Sequence, residues 1–192
     1  MVDLDKEEIK NGINKCYNNS KSLLDDADYL FDGNRIARSY SIFVLCIEEI
    51  QKTYVLFRIL LEKENNKKFT KEDKEYYSKF FSSHTLKIKA AAVQSSNYNE
   101  FAEKYNLHKL KSTKEIKNEF YNPKQKDISK QYGFYVSLVH KKFEEPRDLI
   151  KTENCKKIQQ EAKLSYAQLR SLKNMYFTSS DVFIRKFSNE DF

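Results

Sequence analysis

Glycine occurs only 3 times and proline only twice in 192 residues. Few tight reversals are therefore available, and long helices are favoured over a turn-rich architecture. Cysteine is equally sparse. Cys16, Cys46 and Cys155 are odd in number, lack CxxC spacing and have no paired histidine, which excludes a disulfide framework and argues against a zinc site. Long hydrophobic runs are missing too. The longest, Ile42 to Ile47, is six residues, far short of what a bilayer requires, and the opening "MVDLDKEEIK" sets acids where a signal peptide needs positive charge. These features predict a cytoplasmic protein with no membrane association, no cofactor and no metal.

What is present is enough apolar material to build one core. Hydrophobic residues make up 40% of the chain, and Lys, Glu, Leu and Ile are plentiful, predicting a mainly α single domain over residues 1–192. The net charge of +7 is unevenly distributed. Residues 1–32 hold eight acids against four lysines, whereas residues 104–130 hold eight lysines against three acids. The basic stretch suits RNA or ribosome contact through phosphates; the same lysines also serve simply to solvate a surface.

Ile9, Ile13, Cys16, Ser20, Leu23, Leu24 and Ala27 recur at helical spacing and predict a first helix from about Asp5 to Phe31. Gly33 and Asn34 suit a helix-to-helix turn, and a second helix follows from Asn34 or Arg35 to about Lys63. Thr70 and Asp73 mark the start of a third, predicted over Lys71 to Gln94. Residues 97–152 read as an irregular insert. Within it, Phe101/Tyr105 and Ile116/Phe120 suggest short helices, the alternation from Tyr132 to Leu138 suggests a strand, and "LVHKKFEEP" can turn it back as a hairpin. A fourth helix is predicted over 153–177, and residues 178–192 form a tail.

The second helix raises a chemical question, because "SIFVLCIEEIQK" drives two adjacent carboxylates into the apolar sequence. At 100° per residue, Arg38, Ser41, Glu48, Glu49 and Lys52 fall on one side, with Glu48 and Lys52 spaced to pair. In "FFSSHTLKIKAA", His84 lies on or beside an apolar face and Lys87 follows one turn later. Histidine, lysine and carboxylates on neighbouring helices meet the minimum requirement for metal-free RNA cleavage. A base takes the 2′-OH proton, a cation stabilises the phosphorane and an acid protonates the leaving oxygen. His84 fits the first or last role, Lys87 and Arg38 the second, and Glu48 or Glu49 would orient the imidazole.

These residues carry a family resemblance. "LLDDADYLFDGNRIARSYSIFVLCIEEIQK", with its Glu-Glu-x-x-Lys element ending at Lys52, "FFSSHTLKIKAA", with His84-x-x-Lys87, and "YGFYVSL" followed by "EEP" resemble, in that order, the AbiV-type abortive-infection proteins of the HEPN superfamily. The resemblance implies a HEPN-like four-helix bundle with short extra helices and a small hairpin between helices 3 and 4. It also implies a homodimer with a shared cleft, and translation arrest triggered by a phage-encoded activator protein. The residues themselves supply a candidate catalytic set of His84, Lys87, Glu48, Glu49 and Arg38, with Lys52, Lys79, Lys109, Lys111 and Lys114 as candidate RNA-binding residues.

The sequence departs from the superfamily's ribonuclease motif, Arg followed by four to six residues and His. Lys79, Ser78 and Tyr77 occupy the corresponding positions before His84, and Lys lacks the planar fork of Arg. The alternative is a non-catalytic module that blocks translation by docking on the ribosome or a protein partner through the lysine-rich segment.

Overall fold

The computed structural model describes residues 3–178. Helix α1 (Lys6–Asp32) begins where the Asp5 carboxylate accepts the Glu8 amide at 2.7 Å, satisfying one of the unpaired donors of a helix start. Its buried face is Ile9, Ile13, Ser20, Leu24 and Ala27. At the turn it is Asn34, not Gly33, that takes the left-handed conformation, with φ 58°, while the Gly33 and Arg35 amides bond back to the Tyr29 and Leu30 carbonyls. Helix α2 (Ile36–Glu64) follows and is buried over most of its circumference, from Phe43 and Val44 to Ile59 and Leu60. It is the central helix, and every other long helix packs on it.

The helix expected over Lys71–Gln94 is two helices. Helix α3 (Lys71–Ser82) opens with a capping box between Thr70 and Asp73 and stops at Ser83, whose backbone is extended at φ −93° and ψ 111°. Helix α4 (His84–Lys104) restarts at once, with Ser83 Oγ accepting the Leu86 amide. Serine competes well for such a cap because its hydroxyl replaces a missing backbone partner. The break makes His84 the first residue of a helix rather than a mid-helix residue.

The insert carries a short helix where the Ile116/Phe120 spacing predicts one, and a further helix up to the point where a strand is expected to begin. Helix α5 (Thr113–Tyr121) starts from a Ser112–Glu115 capping box, and helix α6 (Pro123–Tyr132) starts from proline, which suits a first helical position. Tyr132 therefore ends a helix instead of opening a strand. The predicted hairpin is present as β1 (Ser137–Val139) and β2 (Lys142–Glu144), antiparallel in the register Leu138 opposite Phe143. His140 and Lys141 at its tip both have positive φ, as a two-residue hairpin turn requires. A single turn, α7 (Pro146–Leu149), leads into α8 (Thr152–Thr178), which packs along α2. The tail expected beyond Thr178 lies outside the described residues.

Gly133 sets how closely α6 approaches α2. A Cβ there would fall 1.9 Å from Ser41 Oγ and 2.3 Å from the Ala37 carbonyl oxygen. Its own φ of −73° is ordinary, so the glycine is required by close approach alone. Ser41 Oγ uses the contact to donate to the Lys130 carbonyl at 2.6 Å.

Candidate functional site

Where α2, the start of α4 and the end of α6 meet, Glu48 is buried, its side chain only 4% exposed, yet three cationic or potentially cationic groups surround it. His84 Nδ1 is hydrogen-bonded to Glu48 Oε2. Lys130 Nζ donates to Glu48 Oε1 at 2.8 Å, and Lys87 Nζ lies 3.7 Å from Oε2. Asp127 Oδ1 completes the group as an ion pair 2.8 Å from Lys130 Nζ, without hydrogen-bond alignment. Two lysines thus face two carboxylates, and the imidazole spans the cluster and solvent with 49% of its side chain exposed.

The tautomer follows from the partners. Lys130 Nζ also approaches His84 Nδ1, at 3.0 Å, but an ionised Glu48 can only accept, so the Nδ1 proton belongs to the imidazole and points at the carboxylate. Nε2 then keeps its lone pair, and it makes no hydrogen bond among the described residues. A histidine held at Nδ1 by a buried carboxylate and open at Nε2 is arranged to take or give a proton.

Lys87 is buried behind the ring and donates to the Phe81 carbonyl at 3.1 Å, satisfying an orphan acceptor at the end of α3. Burial pushes its pKa down, and the attraction of Glu48 only partly offsets this.

Glu48, His84 and Asp127 each offer a ligand atom within 4.8 Å of the others, a spacing open to a metal ion. The ammonium of Lys130 already stands among these three groups, at 2.8 Å from Glu48, 3.0 Å from His84 and 2.8 Å from Asp127. The chain supplies its own cation at that point.

A second charged cluster ties α5 and α6 to α8. Lys126 Nζ lies 3.0 Å from Glu119 and 3.1 Å from Glu161; Lys111 Nζ lies 2.6 Å from Glu119 and 2.7 Å from Glu161. All four side chains are largely or fully buried, so each charge depends on the others.

The residues singled out from sequence divide accordingly. Glu48, His84 and Lys87 come together. Glu49 does not join them: it pairs with Lys52 at 2.7 Å, replacing the expected Glu48–Lys52 pair, and lies beside Cys16, whose thiol burial and the Glu49 charge push up to about 12. Arg38 is exposed and stands ten residues before Glu48, about 15 Å along the helix axis. Lys79 is exposed on α3, Lys114 is exposed on α5, and Lys109 pairs with Glu103. Lys111 is committed to the buried network and is not part of an open basic surface. Sequence reasoning missed Lys130 and Asp127. The signal for Lys130 was the spacing of Pro123, Lys126, Lys130 and Gly133, a helical face whose inward members are polar.

A helical bundle centred on one buried helix, with a small hairpin before its last long helix, defines a mainly α, HEPN-like fold. The model of the AbiV family matches residues 8–167, and the chain belongs to the AbiV family of abortive-infection, phage-defence proteins. No curated protein and no solved structure matches it. Among the described residues no helix is long and apolar enough to cross a membrane.

Proposed function

We propose that the protein arrests translation in the infected cell by metal-independent RNA cleavage in the cytoplasm, as a homodimer set in action by a phage-encoded protein. The observation that supports this reading is the His84–Glu48 hydrogen bond with Lys130 beside it. In the proposed reaction His84 Nε2 takes the proton of a ribose 2′-OH, the 2′-oxygen attacks the adjacent phosphorus and the bond to the 5′-oxygen breaks. The 5′-oxygen leaves with a proton from a protonated imidazole, supplied by the second protomer across the cleft. The products are a 2′,3′-cyclic phosphate and a 5′-hydroxyl. Glu48 is a positioning residue that fixes the tautomer, and Lys130 and Lys87 balance the two carboxylates so that the site does not repel a phosphate.

The test is incubation of purified wild-type and His84→Ala protein with total RNA and with ribosomes in EDTA, with and without phage lysate, followed by mapping of cut ends. Cuts with cyclic-phosphate ends from the wild type, and none from the variant, are the expected result. Intact RNA in every sample, together with arrested translation, would replace cleavage with docking on the ribosome or a protein partner.

A further inference from the structure

Beside the His84 cluster runs an open groove of about 590 Å³. One wall begins with Thr85 and Leu86, the two residues that follow His84 on α4; the opposite wall includes Ile128, which follows Asp127 on α6. The two helices that hold His84 and Lys130 therefore both line the groove, and Tyr121 adds the end of α5. Lys89, Tyr121, Lys124 and Gln125 also line it, and no carboxylate among the described residues does.

Tyr121 is 73% exposed, so one face of its ring is open to a ligand. Phe120 meets its ring edge to face with centroids 5.3 Å apart, and Lys89 Nζ sits 5.5 Å from the centre of the Phe120 ring. An exposed aromatic face in a groove that is also lined by lysines is the combination that stacks a base and holds its phosphate. Gln125 Oε1 accepts from Asn118 Nδ2, which leaves the Gln125 amide protons for a base edge.

We infer that this groove is a base-binding subsite for single-stranded RNA, in which one nucleobase stacks on Tyr121 and its phosphate is held between Lys89 and Lys124. The occupant follows from the charge of the groove: two lysines without a facing acid select an anion, and the exposed ring selects a planar one. The volume is within the range of small-molecule sites and suits a single nucleotide. The inference deepens the ribonuclease reading, since a base seated here would set which phosphodiester reaches His84.

The full-length His84→Ala protein, which would not cut, is titrated against a fluorescein-labelled mixed-sequence oligoribonucleotide and binding is read by anisotropy. Tyr121→Ala on that background should weaken binding roughly five- to a hundredfold, the loss that removal of one stacked base implies, while Tyr121→Phe retains it. Lys124→Glu should weaken it and flatten its salt dependence. Because both positions are exposed, unchanged melting curves verify that the variants fold. Equal affinity in Tyr121→Ala and Lys124→Glu overturns the subsite, even if the wild type cleaves RNA. Tyr121-dependent binding without cleavage by the wild type in the presence of phage lysate upholds the subsite and overturns the ribonuclease reading, and no binding at all overturns the subsite.

Discussion

An ammonium group 2.8 Å from one carboxylate and 2.8 Å from another, in a side chain only 7% exposed, has exchanged most of its water for protein. Lys130 is in that position, and removing it would leave Glu48 with His84 and Lys87 alone. Lys130→Met should lower stability by about 3 kcal/mol, the lower end of the cost of orphaning a buried charge, because two partners remain. The same substitution vacates the point between Glu48, His84 and Asp127. A divalent cation that binds there would stabilise the folded state by mass action, so zinc or manganese should raise the melting temperature of Lys130→Met and leave the wild type unmoved. An equal shift in both proteins would show that the lysine does not exclude the metal.

The site at this junction exists because α6 lies close against α2, and Gly133 permits that approach. In Gly133→Ala the new methyl group would meet a backbone oxygen that cannot swing aside, so α6 must back away, at a cost of about 1–3 kcal/mol in overpacking and with Lys130 displaced from Glu48. Gly33→Ala is the control. Its nearest neighbour would be 3.4 Å away, and stability should hold or rise slightly. Thermal melting of the two variants distinguishes a close-approach role from a general effect of losing glycine. The elements that were legible in the sequence were those whose apolar residues follow the helical period, notably α1, α2 and α8. The α3–α4 break was hidden because its cause is a serine cap at Ser83, which leaves the apolar spacing intact across the gap. Helix α6 was hidden for a different reason: Lys126 and Lys130 are its buried members, and a search for apolar periodicity assigns such residues to the surface. Glu48 and His84 were legible because a charge in an apolar helix and a histidine beside an apolar face stand out; Lys130 had no such contrast in a lysine-rich stretch.

On the scale of the whole molecule, the two charged clusters share α6, so the network that ties α6 to α8 also governs where Lys130 sits. Within that network burial pushes the Glu119 carboxyl up, but the attraction of Lys126 and Lys111 outweighs it and holds the carboxyl below the ordinary glutamate value. For Lys126, burial pushes the pKa down, and Glu161 and Glu119 reverse this and hold it well above the ordinary lysine value. The sign of the pH effect follows from Glu119. A carboxyl whose folded pKa is depressed binds fewer protons than in the unfolded chain, so its stabilisation is complete above the ordinary glutamate range and is lost as pH falls through the folded value. Lys126 works the other way and loses its contribution only in strong alkali, above the ordinary lysine range. The protein should therefore keep its stability through neutral pH and lose it along an acid limb. Glu119→Gln should be less stable than the wild type at neutral pH, and the gap should close as pH falls through that limb, because the variant has no carboxyl left to protonate. Melting temperatures of both proteins from neutral pH into acid measure the gap directly. A gap that stays constant with pH would mean that Glu119 contributes by packing and hydrogen bonding rather than by its charge.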